Sequence, residues 1–324
     1  MGARIRVRKW GWLVIRRATT NRNGYFQTSR TRTKRVKYAC YFKHRPEFIV
    51  KAGTWFWNAR DRGHARHKRR AWRRHYTYGR RQLYAFVQNA AFDYYTRVVQ
   101  TYNIKKPKYH MKISAKYNQC GSSQHRPAVL TLLPVSRIKI TRKNSRCDYR
   151  GSDGIYATTI HELTHAGHQK LDNGMFSVFH SGSCNRAILI ESWAEGVETI
   201  VTNDRYLSLD ANYLNPSNDN IGWNFRRQRD RAFEMNEYTP IVVDLIDNYD
   251  QSVEYAFLNP DPPVDRVQGY TLNQIQTALN NCRDINCWEI YLNKYYNNPT
   301  ESNLDELFGY VREVRNNNLN TPCK

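Results

Sequence analysis

The chain has 324 residues, of which 40% are hydrophobic and 13% aromatic, and its formal net charge at pH 7 is +23. This composition excludes a disordered chain, and the lack of any run of 18 or more apolar residues excludes a transmembrane helix. The length is greater than that of an average domain and predicts two domains.

The positive charge is concentrated at the start of the chain. Residues 1–80 hold 24 Lys and Arg but only two acids, Glu47 and Asp61, whereas the rest of the chain is nearly balanced. Such asymmetry indicates two modules. We expect the basic module to attract an acidic polymer, with a merely soluble basic surface as the alternative. Nucleic acid is not the expected partner.

The first module has the pattern of short strands. Apolar residues alternate with Arg over residues 3–9, and apolar runs follow at residues 36–42 and 48–50. Turn residues at 21–24 separate the first of these runs from the next. Strands at this spacing predict a small, basic β-sandwich over residues 1–76.

The pattern changes to helical spacing after residue 76. Residues 82–102, 155–170 and 187–201 have apolar side chains at helical intervals, and residues 111–113 and 137–140 read as strands. The fold class is therefore predicted to be α+β. A mostly helical domain with a small sheet, residues 77–324, follows the N-terminal β-sandwich.

The segment His161-Glu162-Leu163-Thr164-His165 carries the strongest chemical signal. Two histidines four residues apart lie on one helix face, so both imidazoles can reach one metal ion. Glu162 lies between them and can take a proton from water bound on the open side of that metal. The segment predicts zinc bound by His161 and His165, with Glu162 as the general base and acid.

A catalytic zinc needs a third protein ligand. Glu191 and Glu195 are also four residues apart, so one can bind the metal while the other hydrogen-bonds a ligand histidine. His168, three residues after His165, is interpreted as a supporting or incidental side chain, and Glu198 as a solvated surface acid. Tyr238 is a candidate oxyanion stabiliser, although a structural role is the alternative for any of the 23 tyrosines.

Seven cysteines are present, and none forms a CxxC pair. Cys120 with Cys147, and Cys282 with Cys287, are spaced so that each pair could form a disulfide. Buried reduced cysteines are the alternative.

The combination of His161-Glu-Leu-Thr-His165 with Glu191-Ser-Trp-Ala-Glu195-Gly resembles gluzincin-type zinc metallopeptidases. By resemblance to thermolysin-like members, Glu191 is the third ligand and Glu195 its supporter. An aminopeptidase-type W-x-x-E-G pattern would favour Glu195, although Trp193 stands one residue too near. More narrowly, the chain resembles uncharacterised exported proteins of Bacteroidetes-type bacteria.

In the N-terminal module, residues 19–28 resemble the turn of carboxypeptidase regulatory-like β-sandwich domains. The two resemblances together imply a zincin-like second domain and export, with cell-surface anchoring by a leader that the sequence does not contain. The function expected is zinc-dependent hydrolysis of a peptide or glycoprotein substrate. The alternative is a binding or adhesion protein for polyanions or nucleic acid that keeps the zincin fold without catalysis.

Overall fold

The computed structural model describes residues 1–32, 36–53, 56–64, 72–126, 137–176, 184–214, 239–250, 252 and 264–317. Within these ranges the fold combines helices with two small sheets, which agrees with the predicted α+β class. No helix in the described ranges is both long enough and apolar enough to cross a membrane.

The first sheet is antiparallel and has four strands in the order β2-β1-β3-β6. Its strands are β1 (Arg4–Lys9), β2 (Leu13–Thr19), β3 (Lys37–Tyr41) and β6 (Arg60–His64). Ile5 and Val7 are buried, while Arg4, Arg6 and Arg8, which alternate with them, are only partly buried. This is the alternation expected of a sheet with one packed face and one solvated face.

The second sheet is mixed and has five strands in the order β4-β5-β7-β9-β8. Its strands are β4 (Lys43–His44), β5 (Phe48–Ala52), β7 (Met111–Lys116), β8 (Gln124–Arg126) and β9 (Arg137–Thr141). The central strands β5, β7 and β9 are parallel, and the edge strands β4 and β8 are antiparallel to their neighbours. Parallel strands need covering on both faces, which explains why β5 and β7 are mostly buried.

The helices lie mainly after the first sheet, with turns and irregular segments between them. They are α1 (Gly79–Asp93), α2 (Val99–Thr101), α3 (Ser152–Leu171), α4 (Cys184–Leu207), α5 (Ile241–Asp244), α6 (Leu272–Leu279), α7 (Ile285–Tyr295) and α8 (Leu304–Asn317). A π-helical turn at Tyr94–Val98 joins α1 to α2. Thr271 begins α6 with a capping box, in which its side chain accepts from the backbone of Gln274 and the Gln274 side chain accepts in return.

The chain divides into two compact units. The first comprises Met1–Thr96 and Lys108–Thr159 and holds both sheets and α1. The second comprises Arg97–Pro107 and Ile160–Lys324 and is helical in its described part. In the second unit α4 packs on α5, and Trp288 of α7 donates to the Ile275 carbonyl of α6 at 3.3 Å.

The predicted β-sandwich over residues 1–76 is not confirmed. Strand β5 belongs to the expected first domain, yet it joins a different sheet from β1 and β3 and pairs in parallel with β7, which starts at Met111. The physical reason is that β5 is buried and pairs in parallel, and a parallel partner requires a long crossover rather than a hairpin. The predicted division into residues 1–76 and 77–324 stays a prediction.

Both of the suggested disulfides form. Cys120 is bonded to Cys147 in the first unit, and Cys282 to Cys287 in the second. Cys40 is a buried free cysteine on β3.

Candidate metal centre

The histidines of the predicted motif lie on α3, whose middle is buried almost all round. His161 and His165 are 8% and 6% exposed, and their rings are perpendicular with centroids 4.5 Å apart. Their Nε2 atoms lie only 3.0 Å apart. One helical turn therefore turns both imidazoles to the same point, as the spacing of four residues predicts.

Glu191, on α4, contributes an oxygen to that point. Its Oε2 lies 3.1 Å from Nε2 of His161 and 3.3 Å from Nε2 of His165. The three side chains form a group whose ligand atoms all lie within 4.8 Å of one another. The structure thus brings together the three residues that the sequence analysis named as metal ligands.

The separations fit a small tetrahedral cation. Zinc bonds of about 2.0–2.2 Å to nitrogen and oxygen, at tetrahedral angles, place neighbouring ligand atoms roughly 3.3 Å apart. The three separations in the structure are 3.0, 3.1 and 3.3 Å. Two imidazoles and one carboxylate are also a donor set found in catalytic zinc sites, with a fourth position left for water.

The histidines and carboxylates of the group shift one another's pKa values. Burial lowers the pKa of His161, but the carboxylates of Glu191 and Glu198 outweigh burial and hold that pKa well above its usual value. Burial likewise raises the pKa of Glu191, and His165 and His161 outweigh it and hold that pKa well below its usual value. The arrangement therefore favours a negative carboxylate facing positive charge at the shared point.

Glu198 lies beside the candidate metal group, and the sequence analysis did not place it there. It is 3% exposed, and its Oε2 lies 2.8 Å from Nδ1 of His161. The interpretation of Glu198 as a solvated surface acid is wrong. A carboxylate on Nδ1 fixes the proton there and leaves Nε2 free to bind a cation. The signal was its spacing, since Glu198 follows Glu191 by seven residues, which is two turns of one helix face.

Glu162 and Glu195 lie on the same two helices as the ligands. Glu162 is 5% exposed and stands between the two histidines of α3, and Glu195 is half-buried one turn after Glu191 on α4. Their predicted roles, as general base and as supporting acid, stay predictions. Tyr238, the predicted oxyanion stabiliser, lies outside the described residues.

His168 is fully buried on α3, and its ring packs perpendicular to that of Phe176 at 5.4 Å. Burial and the nearby His165 lower its pKa to about 3, so the ring is neutral at physiological pH. His168 is not a member of the metal-binding group.

Comparison with known proteins adds no relative: no protein-family model matches the chain, and no curated protein matches it. The gluzincin resemblance therefore stays a prediction, and the candidate metal centre is supported by its geometry alone.

Proposed function

We propose that the protein is a zinc-dependent peptidase whose metal is held by His161, His165 and Glu191. The observation that supports this most directly is the convergence of three ligand atoms at 3.0–3.3 Å from one another. Glu198 supports it further, because a buried carboxylate behind a ligand histidine is a common feature of zinc sites.

The chain's own residues divide the work of hydrolysis. His161, His165 and Glu191 would hold the cation. Zinc, when bound, supplies a Lewis acid that polarises the peptide carbonyl and lowers the pKa of the attacking water. Glu162 accepts the proton of the attacking water and passes it to the leaving amine. Glu198 keeps the Nδ1 proton of His161 in place throughout.

The finer features of the fold belong to the same proposal. The second domain would be zincin-like, with α3 and α4 presenting the ligands, and the basic N-terminal module would be a β-sandwich. Two disulfides among the described cysteines support an oxidising, extracytoplasmic location, because disulfides persist mainly outside reducing compartments. The substrate would be a peptide or glycoprotein.

The test combines metal analysis with peptide cleavage. The wild-type protein is supplemented with zinc, freed of excess metal, and assayed with a library of quenched fluorescent peptides. We expect about one zinc per chain, cleavage in the wild type, retained zinc without cleavage in Glu162→Gln, and loss of zinc in Glu191→Gln. Glu306→Gln, at a half-exposed glutamate of α8, is the matched control and should change neither reading.

Three results would contradict the proposal or one of its parts. Absence of bound zinc in the wild type would remove the metal centre. Full cleavage by Glu162→Gln would remove the assigned base. Stoichiometric zinc with no cleavage of any peptide would favour the alternative of a non-catalytic binding or adhesion protein.

A further inference from the structure

One face of the first sheet consists largely of cationic side chains. In β1, the side chains of Arg4, Arg6 and Arg8 lie on the face opposite to buried Ile5 and Val7. Residues paired directly across an antiparallel sheet share a face. The pairing register therefore decides which side chains of the other strands join these three arginines.

The register adds four more cations. Arg6 is paired with Arg17 of β2, and Arg8 with Lys37 of β3. Arg4 is paired with Tyr41, which is itself paired with Arg60 of β6. Arg62 joins through Ala39, the partner of Arg6. We call Arg4, Arg6, Arg8, Arg17, Lys37, Arg60 and Arg62 the cationic face.

The opposite face of the sheet is packed, and it also contains the nearby acid. Tyr38 stacks on Trp72 with ring centroids 5.5 Å apart. Asp61, one of the two acids in residues 1–80, is 1% exposed and pairs with Arg81 at 2.9 Å. Its side chain therefore lies on the packed face and cannot neutralise the cationic face.

The cations of the face are crowded without counter-charges. Within the described chain, no carboxylate forms an ion pair with any of the seven. The guanidinium carbons of Arg6 and Arg8 lie 4.7 and 5.7 Å from the ring centre of Tyr41, and the Lys43 ammonium lies 5.2 Å from it. Burial, then Arg45, Arg6 and Arg4, lower the pKa of Lys43 to about 8.

We propose that the cationic face binds an acidic polysaccharide that carries carboxylate or sulfate groups. Alternate residues along a strand are about 6.6 Å apart and neighbouring strands about 4.8 Å apart, so the face offers a two-dimensional grid of positive charge. Six of its seven cations are arginines, whose planar fork pairs with carboxylate or sulfate through two hydrogen bonds. An anionic chain lying across the face would reduce the repulsion among these seven cations.

The face lacks the features that would favour the other polyanions. Proteins that bind single-stranded nucleic acid use exposed rings on which bases stack. Tyr41 is the only Tyr, Phe or Trp at the paired positions of this face, and it is 6% exposed beneath the arginines. Exposed Trp10 and Trp12 lie in the turn beyond β1. The two disulfides also favour an oxidising location.

The test compares two triple variants with the same net charge. Arg17→Gln/Arg60→Gln/Arg62→Gln removes three exposed cations of the face. Lys105→Gln/Arg146→Gln/Lys294→Gln removes three exposed cations elsewhere. Calorimetry with heparin and with polygalacturonate fragments at 150 mM NaCl should show binding weakened about tenfold or more by the first triple and less than about threefold by the second. Circular dichroism melting checks that both triples fold.

The outcomes separate this proposal from the peptidase. Equal weakening by both triples would show attraction by net charge alone and would overturn the assigned face. Tighter binding to an oligothymidylate of equal charge, or to vesicles containing phosphatidylglycerol, would overturn the choice of polysaccharide. Zinc content and cleavage of short peptides are measured on the same samples and do not enter this conclusion, so either proposal can fail alone.

Discussion

Glu198 Oε2 lies 2.8 Å from Nδ1 of His161, while Nε2 of the same ring lies 3.1 Å from Glu191. One imidazole is thus held between two carboxylates from a single helix, α4. In the proposed metal centre, the outer carboxylate would orient the ring and the inner one would bind the same cation as the ring. The sequence analysis predicted Glu195 as the supporting acid. The two assignments therefore predict opposite orders of metal affinity for variants of Glu195 and Glu198.

Glu198→Ala is expected to weaken zinc binding by about 10–100-fold, because Nδ1 of His161 loses the carboxylate that fixes its proton. Glu195→Ala should weaken it by much less. Competition with a chromophoric chelator measures both affinities. A larger loss in Glu195→Ala than in Glu198→Ala would assign the supporting role to Glu195, as the sequence analysis did.

Zinc is expected to stabilise the folded protein. A ligand that binds only the native state at about 100 times its Kd adds about 2.7 kcal/mol to the free energy of unfolding. For a chain of 324 residues, with an entropy of unfolding of about 2.1 cal/mol/K per residue, that corresponds to a rise in Tm of roughly 4 °C. Thermal melting with zinc and then with EDTA measures the gain and its reversal. The same zinc-induced rise in Glu191→Gln would show that the metal binds elsewhere.

The sequence predicted the parts of the site that depend on local geometry. His161 and His165 follow from a spacing of four residues on one helix. Glu191 is 26 residues further on, so it was chosen by resemblance, with Glu195 as a rival of the same helical period. Glu198 was misjudged because burial is a tertiary property, and a charged residue is exposed on most helices.

The positions of the apolar strands were also predictable, whereas their partners and the polar strands β6 and β8 were not. Apolar runs placed β3, β5 and β9 to within a few residues. The parallel pairing of Phe48–Ala52 with residues that begin at Met111 depends on contacts far apart in sequence, for which a single sequence carries no local signal. This non-local pairing is the reason that the β-sandwich prediction was not confirmed.

Gly196→Ala is expected to destabilise the protein by about 1–3 kcal/mol, although alanine favours helices. A Cβ at residue 196 of α4 would lie 2.3 Å from the Cβ and Cγ1 of Val242 on α5. Urea unfolding of Gly196→Ala, Val242→Gly (which removes both contacting atoms) and the double variant measures the coupling between the two positions. The double variant should be more stable than the sum of the single effects predicts; strict additivity would contradict the close contact.

Asp61→Ala is expected to cost about 2–4 kcal/mol of stability. The carboxylate is fully buried and holds Arg81 at 2.9 Å, Arg74 at 3.5 Å and the Tyr76 hydroxyl at 3.3 Å. Removing it leaves these three groups without their common acceptor. Asp305→Ala is the control, because that carboxylate is 90% exposed and should cost no more than about 0.5 kcal/mol. Chemical unfolding of both variants decides, and equal costs would show that burial of Asp61 contributes nothing.

Lys43 is expected to make stability depend on alkaline pH. Burial and neighbouring arginines lower its pKa from 10.5 to about 8 in the folded protein, so the unfolded chain binds more protons between those values. The free energy of unfolding should therefore rise as pH rises from about 8 to about 10.5. Lys43→Met removes this contribution and should be more stable than the wild type at pH 7, by on the order of 1 kcal/mol or more, with the difference closing near pH 10.5.

Urea unfolding at several pH values measures the difference, with Lys105→Met, at an exposed lysine, as the control. A difference between Lys43→Met and the wild type that stays constant across this range would show that Lys43 is not held in a penalised charged form.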